Sequence, residues 1–233
     1  MKNKKIGDLS LGKIPRIVAI IDDFYPIGTI CGLKDRGADL IEIRVDCLNS
    51  DYDEIIGFIK KIRDNISIPS IGTIRENDFN RQKRLEMYKT IIPYIDAVDI
   101  EIDADITTDV IACASTKTLI VSEHNFNKTP DINSLNSIVY TAGKLGADII
   151  KIAAMANSRQ DVLKLLRFTE NCQEDIVTIA MGEIGKITRV IAPLFGSLFT
   201  YCFIGHEVAP GQLSLQKMVE EFSMFYPDFR ENS

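Results

Sequence analysis

Residues 148–155 of the chain are DIIKIAAM, a run of aliphatic residues interrupted by one lysine, Lys151. A nearly continuous apolar run of this length is typical of a parallel strand that is covered on both faces. One amphipathic stretch, at 131–145, precedes the run, and another, at 158–171, follows it. This segment therefore predicts a helix–strand–helix unit of an α/β protein.

The same alternation extends from this segment towards both ends of the chain and occurs eight times. Asp131 and Ser158 precede their amphipathic stretches as suitable N-caps. The predicted strands are 17–22, 38–46, 70–75, 97–103, 117–125, 148–155, 175–182 and 198–205. The predicted helices lie near 26–36, 53–64, 81–92, 105–115, 131–145, 158–171, 186–195 and 213–225.

Eight strand–helix units within 233 residues, with no linker between them, favour a closed parallel eight-stranded (β/α)8 barrel, the TIM barrel. An open doubly wound sheet is the alternative, but no Gly-x-Gly-x-x-Gly follows the first strand. Gly-Ala-Asp occurs at 37–39 and again at 146–148, which suits a barrel built from repeated halves. We predict that residues 1–233 form a single barrel domain.

The composition is that of a globular protein, with 45% hydrophobic and 26% charged residues. The net charge is −6 and no cluster of Lys and Arg could follow a phosphate backbone, which argues against nucleic acid and membranes as partners. The five cysteines contain no Cys-x-x-Cys pair and fit reduced thiols. We therefore expect a cytoplasmic protein whose partner is a small-molecule substrate.

Charged residues inside the apolar strands are the candidates for a site, because chemistry in such barrels collects at the carboxyl ends of the strands. The second strand contains Glu42, Arg44 and Asp46, which an alternation of period two places on one face. Charged side chains that point into a barrel must pair with each other or with a ligand. A structural ion network is the alternative interpretation.

The next three strands add further polar groups near their carboxyl ends. Arg75 ends the third strand, Asp99 and Glu101 lie two residues apart in the fourth, and His124 lies where the fifth becomes a loop. A lone histidine is more often structural than catalytic, but Asp99 and Glu101, one strand away, could orient and charge this one. We expect the other histidine, His206, to be a loop residue without a catalytic role.

Lys151 lies in the middle of the sixth strand. Burial disfavours an ammonium and so favours the neutral amine near pH 7. A neutral, nucleophilic amine is what imine formation with a ketone or an aldehyde requires. The alternative is a lysine that reaches the rim or pairs with a carboxylate of the second strand.

Several motifs resemble those of type I 3-dehydroquinate dehydratase, an enzyme of the shikimate pathway. Each is weak alone, but together they occur in the same order, at strand ends, over essentially the whole chain. The motifs are Glu42-x-Arg44-x-Asp46, Ser122-x-His124-x-Phe126-x-Lys128-Thr129-Pro130, Lys151-Ile152-Ala153 with Met155 and Asn157-Ser158, Gly185-x-x-Thr188-Arg189, Phe195-Gly196-Ser197 and Ala209-Pro210-Gly211-Gln212.

The resemblance implies a hydro-lyase that removes water from 3-dehydroquinate by syn elimination, giving 3-dehydroshikimate for the biosynthesis of chorismate and aromatic amino acids. It implies that Lys151 forms an imine, or Schiff base, with the C3 ketone. His124 would take the C2 proton and pass it to the departing C1 hydroxyl. No metal or organic cofactor is implied. The implied substrate-binding residues are Glu42, Arg44, Arg75, Met181, Arg189 and Gln212, the last two for the carboxylate, with Asp46, Asp99 and Glu101 in support.

Two positions depart from the family pattern. The family follows its strand-three arginine with Glu-Gly-Gly, whose glutamate lies near the histidine; here Phe79 occupies that place. Glu76 and Asp78 are the acidic residues available to replace it. Val208 stands where the family has a serine, which removes a hydrogen bond worth about 0.5–1.5 kcal/mol. We therefore expect weaker substrate binding rather than a loss of the chemistry.

Two other functions stay open at this point. A class I aldolase or transaldolase also carries an imine-forming lysine on its sixth strand, but such enzymes act largely on phosphorylated sugars and would leave Arg189 and Gln212 unused. The other is a low-activity barrel that serves as a ligand-binding or scaffold protein, which Val208 and the altered loop suggest. We also expect a homodimer, because exposed helical faces of such barrels often pair.

Overall fold

The computed structural model describes residues 4–229, which form a curled parallel sheet with helices around it. The strands are β1 (Lys5–Ile6), β2 (Leu9–Ser10), β3 (Arg16–Ile21), β4 (Leu40–Arg44), β5 (Ser70–Thr73), β6 (Ala97–Glu101), β7 (Thr118–Asn125), β8 (Ile149–Met155), β9 (Ile176–Met181), β10 (Phe199–Phe203) and β11 (Leu213–Ser214). The helices are α1 (Ile27–Cys31), α2 (Tyr52–Asn65), α3 (Arg84–Ile91), α4 (Thr107–Cys113), α5 (Ile132–Lys144), α6 (Arg159–Asn171), α7 (Thr188–Ile191) and α8 (Leu215–Phe225).

The eight predicted strands are confirmed as β3 to β10, with ends that differ by at most two residues. The predicted N-caps are also confirmed: the Asp131 carboxylate accepts from Ser134 N at 2.8 Å, and the Ser158 hydroxyl accepts from Asp161 N at 3.3 Å. Helices α1 and α7 are shorter than predicted, with five and four residues. None of the helices in residues 4–229 combines the length and apolar character that crossing a membrane requires.

The strand order in the sheet is β11-β10-β3-β4-β5-β6-β7-β8-β9. The eighth predicted strand, β10, therefore pairs with the first predicted strand, β3, as a closed barrel requires. Within the described chain no strand ladder joins β9 to β10. At this seam Leu198 N donates to Ile176 O at 3.0 Å, and Thr178 N donates to the Ser197 hydroxyl at 3.1 Å. The barrel prediction is confirmed, and the open-sheet alternative is wrong because the first and eighth strands are neighbours.

The repeated Gly-Ala-Asp motif forms the same turn twice. Gly37 and Gly146 have positive φ angles of 96° and 84°, a conformation that glycine adopts without a steric penalty. The carboxylates of Asp39 and Asp148 then accept from a backbone N–H of the preceding strand, β3 or β7, at 2.8 and 2.9 Å. Each motif thus fixes the start of the next strand, and the second follows directly after the C-cap of α5.

Aliphatic side chains fill the inside of the barrel at its amino end. They come from alternating positions of the strands, because successive side chains point to opposite faces. Among them are Val18, Leu40, Ile71, Ile120, Ile149 and Val177. The polar interior residues consequently lie nearer the carboxyl ends of the strands.

The hairpin of β1 and β2 covers this amino end and was not predicted. Ile6 and Leu11 are buried in the same interior cluster as the strand residues. The signal was present in the sequence, because Gly7-Asp8 between two short strands is a typical two-residue hairpin turn. The hairpin leaves the carboxyl end as the side on which the barrel opens to the candidate site.

Candidate active site

A cavity of about 390 Å³ lies at the carboxyl ends of the strands, a size suited to a small organic molecule. A larger depression of about 820 Å³ lies at the amino end and contains none of the predicted site residues. The first cavity brings together most of those residues, namely Glu42, Arg44, Arg75, Glu101, His124, Lys151, Met181, Arg189 and Gln212.

Lys151 points into the barrel from β8 and is 5% exposed. Its Nζ lies 2.8 Å from Asp99 Oδ2 and 3.3 Å from Glu42 Oε1. Burial is therefore not the only influence on this amine, because the two carboxylates stabilise the ammonium against the cost of desolvation. The pairing with a carboxylate of the second predicted strand is present in the structure.

Asp99 holds both Lys151 and Arg75. Its Oδ1 accepts from Arg75 Nη2 at 2.7 Å and from the Ser122 hydroxyl at 2.6 Å. Burial alone would raise the pKa of Asp99, but the positive charges of Arg75 and Lys151 hold it well below its usual range. Asp99 is thus a carboxylate at all ordinary pH values and fixes the position of the Lys151 nitrogen.

His124 ends β7 and lines the cavity. Burial lowers its pKa well below 6.5, and the positive charges of Arg75 and Lys151 lower it further, although Asp99 acts in the opposite direction. The imidazole is therefore neutral near pH 7. A neutral imidazole can accept a proton from a bound molecule, as a general base must.

The predicted partners of His124 bind other residues instead. Asp99 binds Lys151 and Arg75, whereas Glu101 lies 3.0 Å from Arg75 Nη1 and forms an ion pair with Arg84. Within residues 4–229 neither carboxylate accepts a hydrogen bond from the imidazole. The prediction that Asp99 and Glu101 orient His124 is wrong in this respect; they hold the cations around it.

The loop after Arg75 does not place its phenylalanine in the site. Phe79 is 94% exposed. Of the two acidic residues available to replace the family glutamate, Glu76 lines the cavity and Asp78 does not. Glu76 accepts from Arg81 Nε at 2.8 Å, so its negative charge at the rim is partly balanced.

The prediction that Glu42, Arg44 and Asp46 share one strand face is confirmed only in part. Glu42 points inward and accepts from the Thr73 hydroxyl at 2.8 Å. The strand ends at Arg44 and a 3-10 turn follows at Val45–Cys47, so Asp46 folds back onto Arg44 with contacts of 2.7 and 3.1 Å. The prediction is therefore confirmed for Glu42 and Arg44 and wrong for Asp46, which fixes the Arg44 guanidinium.

Arg189 lies on α7, lines the same cavity and is 2% exposed. Its Nη2 donates to Pro210 O at 3.2 Å, whereas its buried Nε has no partner in the described chain. Burial lowers the pKa of Arg189 to about 10, with Glu207 acting in the opposite direction. Burying a guanidinium without a carboxylate partner costs free energy, and an anionic group of a ligand would balance its charge.

Gln212 lies beside this guanidinium on the cavity wall. Its side-chain oxygen accepts from Val208 N at 2.9 Å and from Ala209 N at 3.2 Å. Because the oxygen is fixed in this way, the amide nitrogen is left to donate to a ligand. Met181, the last residue of β9, is buried and adds an apolar wall.

Two loops that carry this part of the cavity are joined through their backbones. Gly182 N donates to Pro210 O at 3.1 Å, the carbonyl that also accepts from Arg189. A Cβ on Gly211 would lie 2.6 Å from Gly182 O, and Gly211 has a positive φ of 76°. Glycine is thus required at 211, where the loop after β10 contacts the loop after β9.

Four contributing residues were not given a role from the sequence, namely Thr73, Arg84, Ser122 and Tyr201. Tyr201 lies in β10, in the run Phe-Thr-Tyr-Cys-Phe, and looks like core. Its place at period two from the interior residue Phe199 is the signal that could have assigned it to the cavity. Arg84 lies in a predicted helix, where an arginine is ordinary, although here it is 1% exposed.

The site combines an amine, a neutral imidazole and an unpaired guanidinium. Across residues 4–229, no three His, Cys, Asp or Glu side chains are placed to hold a metal ion. An amine can form an imine with a carbonyl carbon, an imidazole can transfer a proton, and a guanidinium can bind a carboxylate. Together they suit covalent chemistry on an anionic ketone or aldehyde.

Comparisons with known proteins agree with this chemistry. The family model described as Type I 3-dehydroquinase matches residues 27–228. A 3-dehydroquinate dehydratase of Methanococcoides burtonii is 36% identical over 231 residues, which cover 94% of this chain and 98% of the relative.

Solved structures of the same enzyme are also similar over nearly the whole chain. The enzyme of Geobacillus kaustophilus has a TM-score of 0.83 at 27% identity and 96% coverage of both chains. The type I enzyme of Clostridium difficile, solved with covalent modified comenic acid, has a TM-score of 0.85 at 27% identity, covering 96% of this chain and 97% of its own. These likenesses favour a dehydratase over an aldolase. The chain belongs to the type I 3-dehydroquinase family.

Proposed function

We propose that the chain dehydrates 3-dehydroquinate to 3-dehydroshikimate through an imine on Lys151, with His124 as the proton carrier. The observation that carries the proposal is the placement of the buried Lys151 nitrogen, the neutral His124 and the unpaired Arg189 around one cavity. Membership of the family supports the choice of substrate.

The covalent step begins when the neutral Lys151 amine attacks the C3 carbonyl carbon. The carbonyl oxygen takes one proton from the amine and one from the solvent and leaves as water, and a protonated imine remains. His124 then takes the C2 proton, and the C2–H electron pair moves into the imine to form an enamine. The enamine expels the C1 hydroxyl, to which His124 returns the proton, so a second water leaves. Hydrolysis of the protonated imine consumes one water, releases the product and the neutral amine, and returns one proton to the solvent.

The substrate carboxylate would bind where Arg189 lines the cavity, because the Nε of this guanidinium has no partner among the described residues. The Arg189 guanidinium supplies charge-assisted donors, and the Gln212 amide nitrogen adds another. This placement gives the buried Arg189 the counter-ion that it lacks in the described chain. The remaining contacts, to the hydroxyls and the ring, fall on Glu42, Arg44, Arg75 and Met181.

The test is reduction with borohydride in the presence of 3-dehydroquinate, followed by peptide mass mapping. We expect a stable adduct on the peptide that contains Lys151, together with formation of the conjugated product in the absence of borohydride. Lys186→Ala, which removes a partly exposed lysine three residues before Arg189, is the matched control and should be labelled normally. Ligand binding without an adduct or turnover would favour the alternative of a binding barrel.

We also propose that the protein is a homodimer in the cytoplasm. Leu163, Ile184 and Ile187 form an apolar patch beside α6 and are 45%, 46% and 51% exposed, and such patches often mark interfaces. All five cysteines are unpaired, as expected in a reducing compartment. Analytical ultracentrifugation tests the dimer: Leu163→Glu with Ile187→Glu should give monomers, and an unchanged sedimentation coefficient would exclude this patch.

A further inference from the structure

One contact of the Lys151 nitrogen has no place in the mechanism above. The nitrogen lies 4.0 Å from the centre of the Tyr201 ring. Both residues are buried, with exposures of 5% and 2%. A cation within about 6 Å of an aromatic face is attracted by the negative charge of that face, and the attraction grows when water is excluded.

The ring completes the surroundings of the nitrogen. Asp99 on β6 and Glu42 on β4 each accept a hydrogen bond from Nζ, at 2.8 and 3.3 Å. Tyr201 contacts it from β10. An ammonium has three N–H donors, so two carboxylates and one aromatic face account for all three of them.

We infer that Tyr201 is a positioning residue for Lys151, whose ring face stabilises the positively charged nitrogen before and after imine formation. This inference rests on the proposed function. The nitrogen is positive in the ammonium and in the protonated imine, and it is neutral in the attacking amine and in the enamine. The ring therefore holds the resting nitrogen in place and stabilises the covalent intermediate relative to the free amine.

The face of the ring, rather than its hydroxyl, carries this effect. The Tyr201 hydroxyl is buried and has no hydrogen-bond partner in the described residues. Burial raises the pKa of Tyr201 well above its usual value, and the negative charges of Glu42 and Asp99 raise it further, so the phenol stays neutral. Phenylalanine would present the same face, which makes Tyr201→Phe a matched control.

Other charged groups also act on the nitrogen and stay unchanged in these variants. Asp99 and Glu42 favour the ammonium, whereas the nearby cations disfavour it. The titratable and charged groups around Lys151 are Glu42, Arg44, Arg75, Asp99, His124 and Tyr201. Removing the ring alone consequently shifts the balance towards the neutral amine.

The experiment measures how fast the borohydride-stable adduct with 3-dehydroquinate forms on Lys151 as a function of pH. For Tyr201→Leu we expect the pH of half-maximal rate to fall by about 0.5 to 1 unit, because the ammonium loses its aromatic neighbour. Above this pH, where the resting nitrogen is the free amine, the adduct at equilibrium should fall by about three- to tenfold. Tyr201→Met serves as a second variant should the leucine variant not fold, and Tyr201→Phe should restore both values.

A purely structural role of Tyr201 is tested with Phe199→Leu. Phe199 packs against Tyr201 on the same strand, with ring centres 5.6 Å apart, so its loss also weakens the core. This variant should lose thermal stability without the shift in pH. An identical shift in Phe199→Leu, or no shift in Tyr201→Leu and Tyr201→Met, would overturn the inference. Absence of an adduct in the unsubstituted protein would instead refute the proposed function.

Discussion

Two buried cations lie in the same cavity, and their surroundings differ. Lys151 is bound by two carboxylates and an aromatic ring. Arg189 donates to one backbone carbonyl and keeps its Nε without a partner in the described chain. The protein alone therefore balances the positive charge of Lys151, whereas the positive charge of Arg189 is balanced when the site binds an anion.

Because of this difference, we expect Lys151 to contribute to the stability of the fold and Arg189 to contribute to ligand binding. Removing one member of a buried ion pair leaves the other charge uncompensated, which costs about 3–5 kcal/mol. Removing a buried cation that lacks a carboxylate partner among the described residues relieves a desolvation cost instead. The four predictions below test this contrast, starting with the largest expected effect.

Lys151→Met should lose both activity and stability. Turnover should fall by about 10⁴-fold or more, because no other group can form the imine. The free energy of unfolding should fall by about 3 kcal/mol, since Glu42 and Asp99 lose their shared cation. Steady-state kinetics and chemical denaturation measure the two quantities. Lys217→Met, which removes a surface ion pair, is the control, and normal turnover of Lys151→Met would refute the imine mechanism.

His124→Ala should reduce turnover by about 10²- to 10⁴-fold, the usual contribution of a general acid–base group, while borohydride still traps some adduct on Lys151. Because burial lowers the pKa of His124 below 6.5, the base stays neutral and active at pH 6.5. The acid limb of kcat/KM should thus lie below that value. An acid limb centred above pH 6.5 would show that another group is the base.

Arg189→Met should weaken binding without weakening the fold. We expect KM to rise by roughly 10- to 100-fold, because a charged hydrogen bond contributes about 1.5–3 kcal/mol. The free energy of unfolding should stay equal or increase, because within residues 4–229 the cation has no carboxylate partner to lose. Should this variant be destabilised as strongly as Lys151→Met, the contrast between the two sides would not hold.

Val208→Ser should have the smallest effect. It restores a hydroxyl next to Arg189 and Gln212, and one neutral hydrogen bond lowers KM by about two- to tenfold. Val208→Ala shortens the side chain equally without adding a donor, so it controls for volume. Equal KM values for the two variants would mean that the hydroxyl does not reach the carboxylate.

The sequence allowed the strands to be predicted to within two residues, because strands covered on both faces are continuous apolar runs and charged residues stand out in them. Lys151, Glu42 and Arg44 were placed inside the barrel by the same logic. Asp46 was misplaced because the strand stops at Arg44 and a 3-10 turn replaces the alternation. Local periodicity holds only as long as the strand continues.

The choice of partners inside the barrel was not predictable in this way. Asp99 was expected beside His124, but it binds Lys151 on a strand two places away. Which carboxylate meets which cation depends on side-chain lengths across a closed barrel, and no sequence spacing encodes that distance. Tyr201 was overlooked for the same reason, since its role appears when β10 closes against β3.

The close approach of Gly211 to Gly182 has a consequence for engineering. The two loops share the Pro210 carbonyl with Arg189, so grafting a new segment after β10 alone would leave the guanidinium without its anchor. A redesign of ligand preference at this rim therefore has to exchange the loop after β9 and the loop after β10 together. Gly182 and Gly211 mark where the exchanged segments should begin or end.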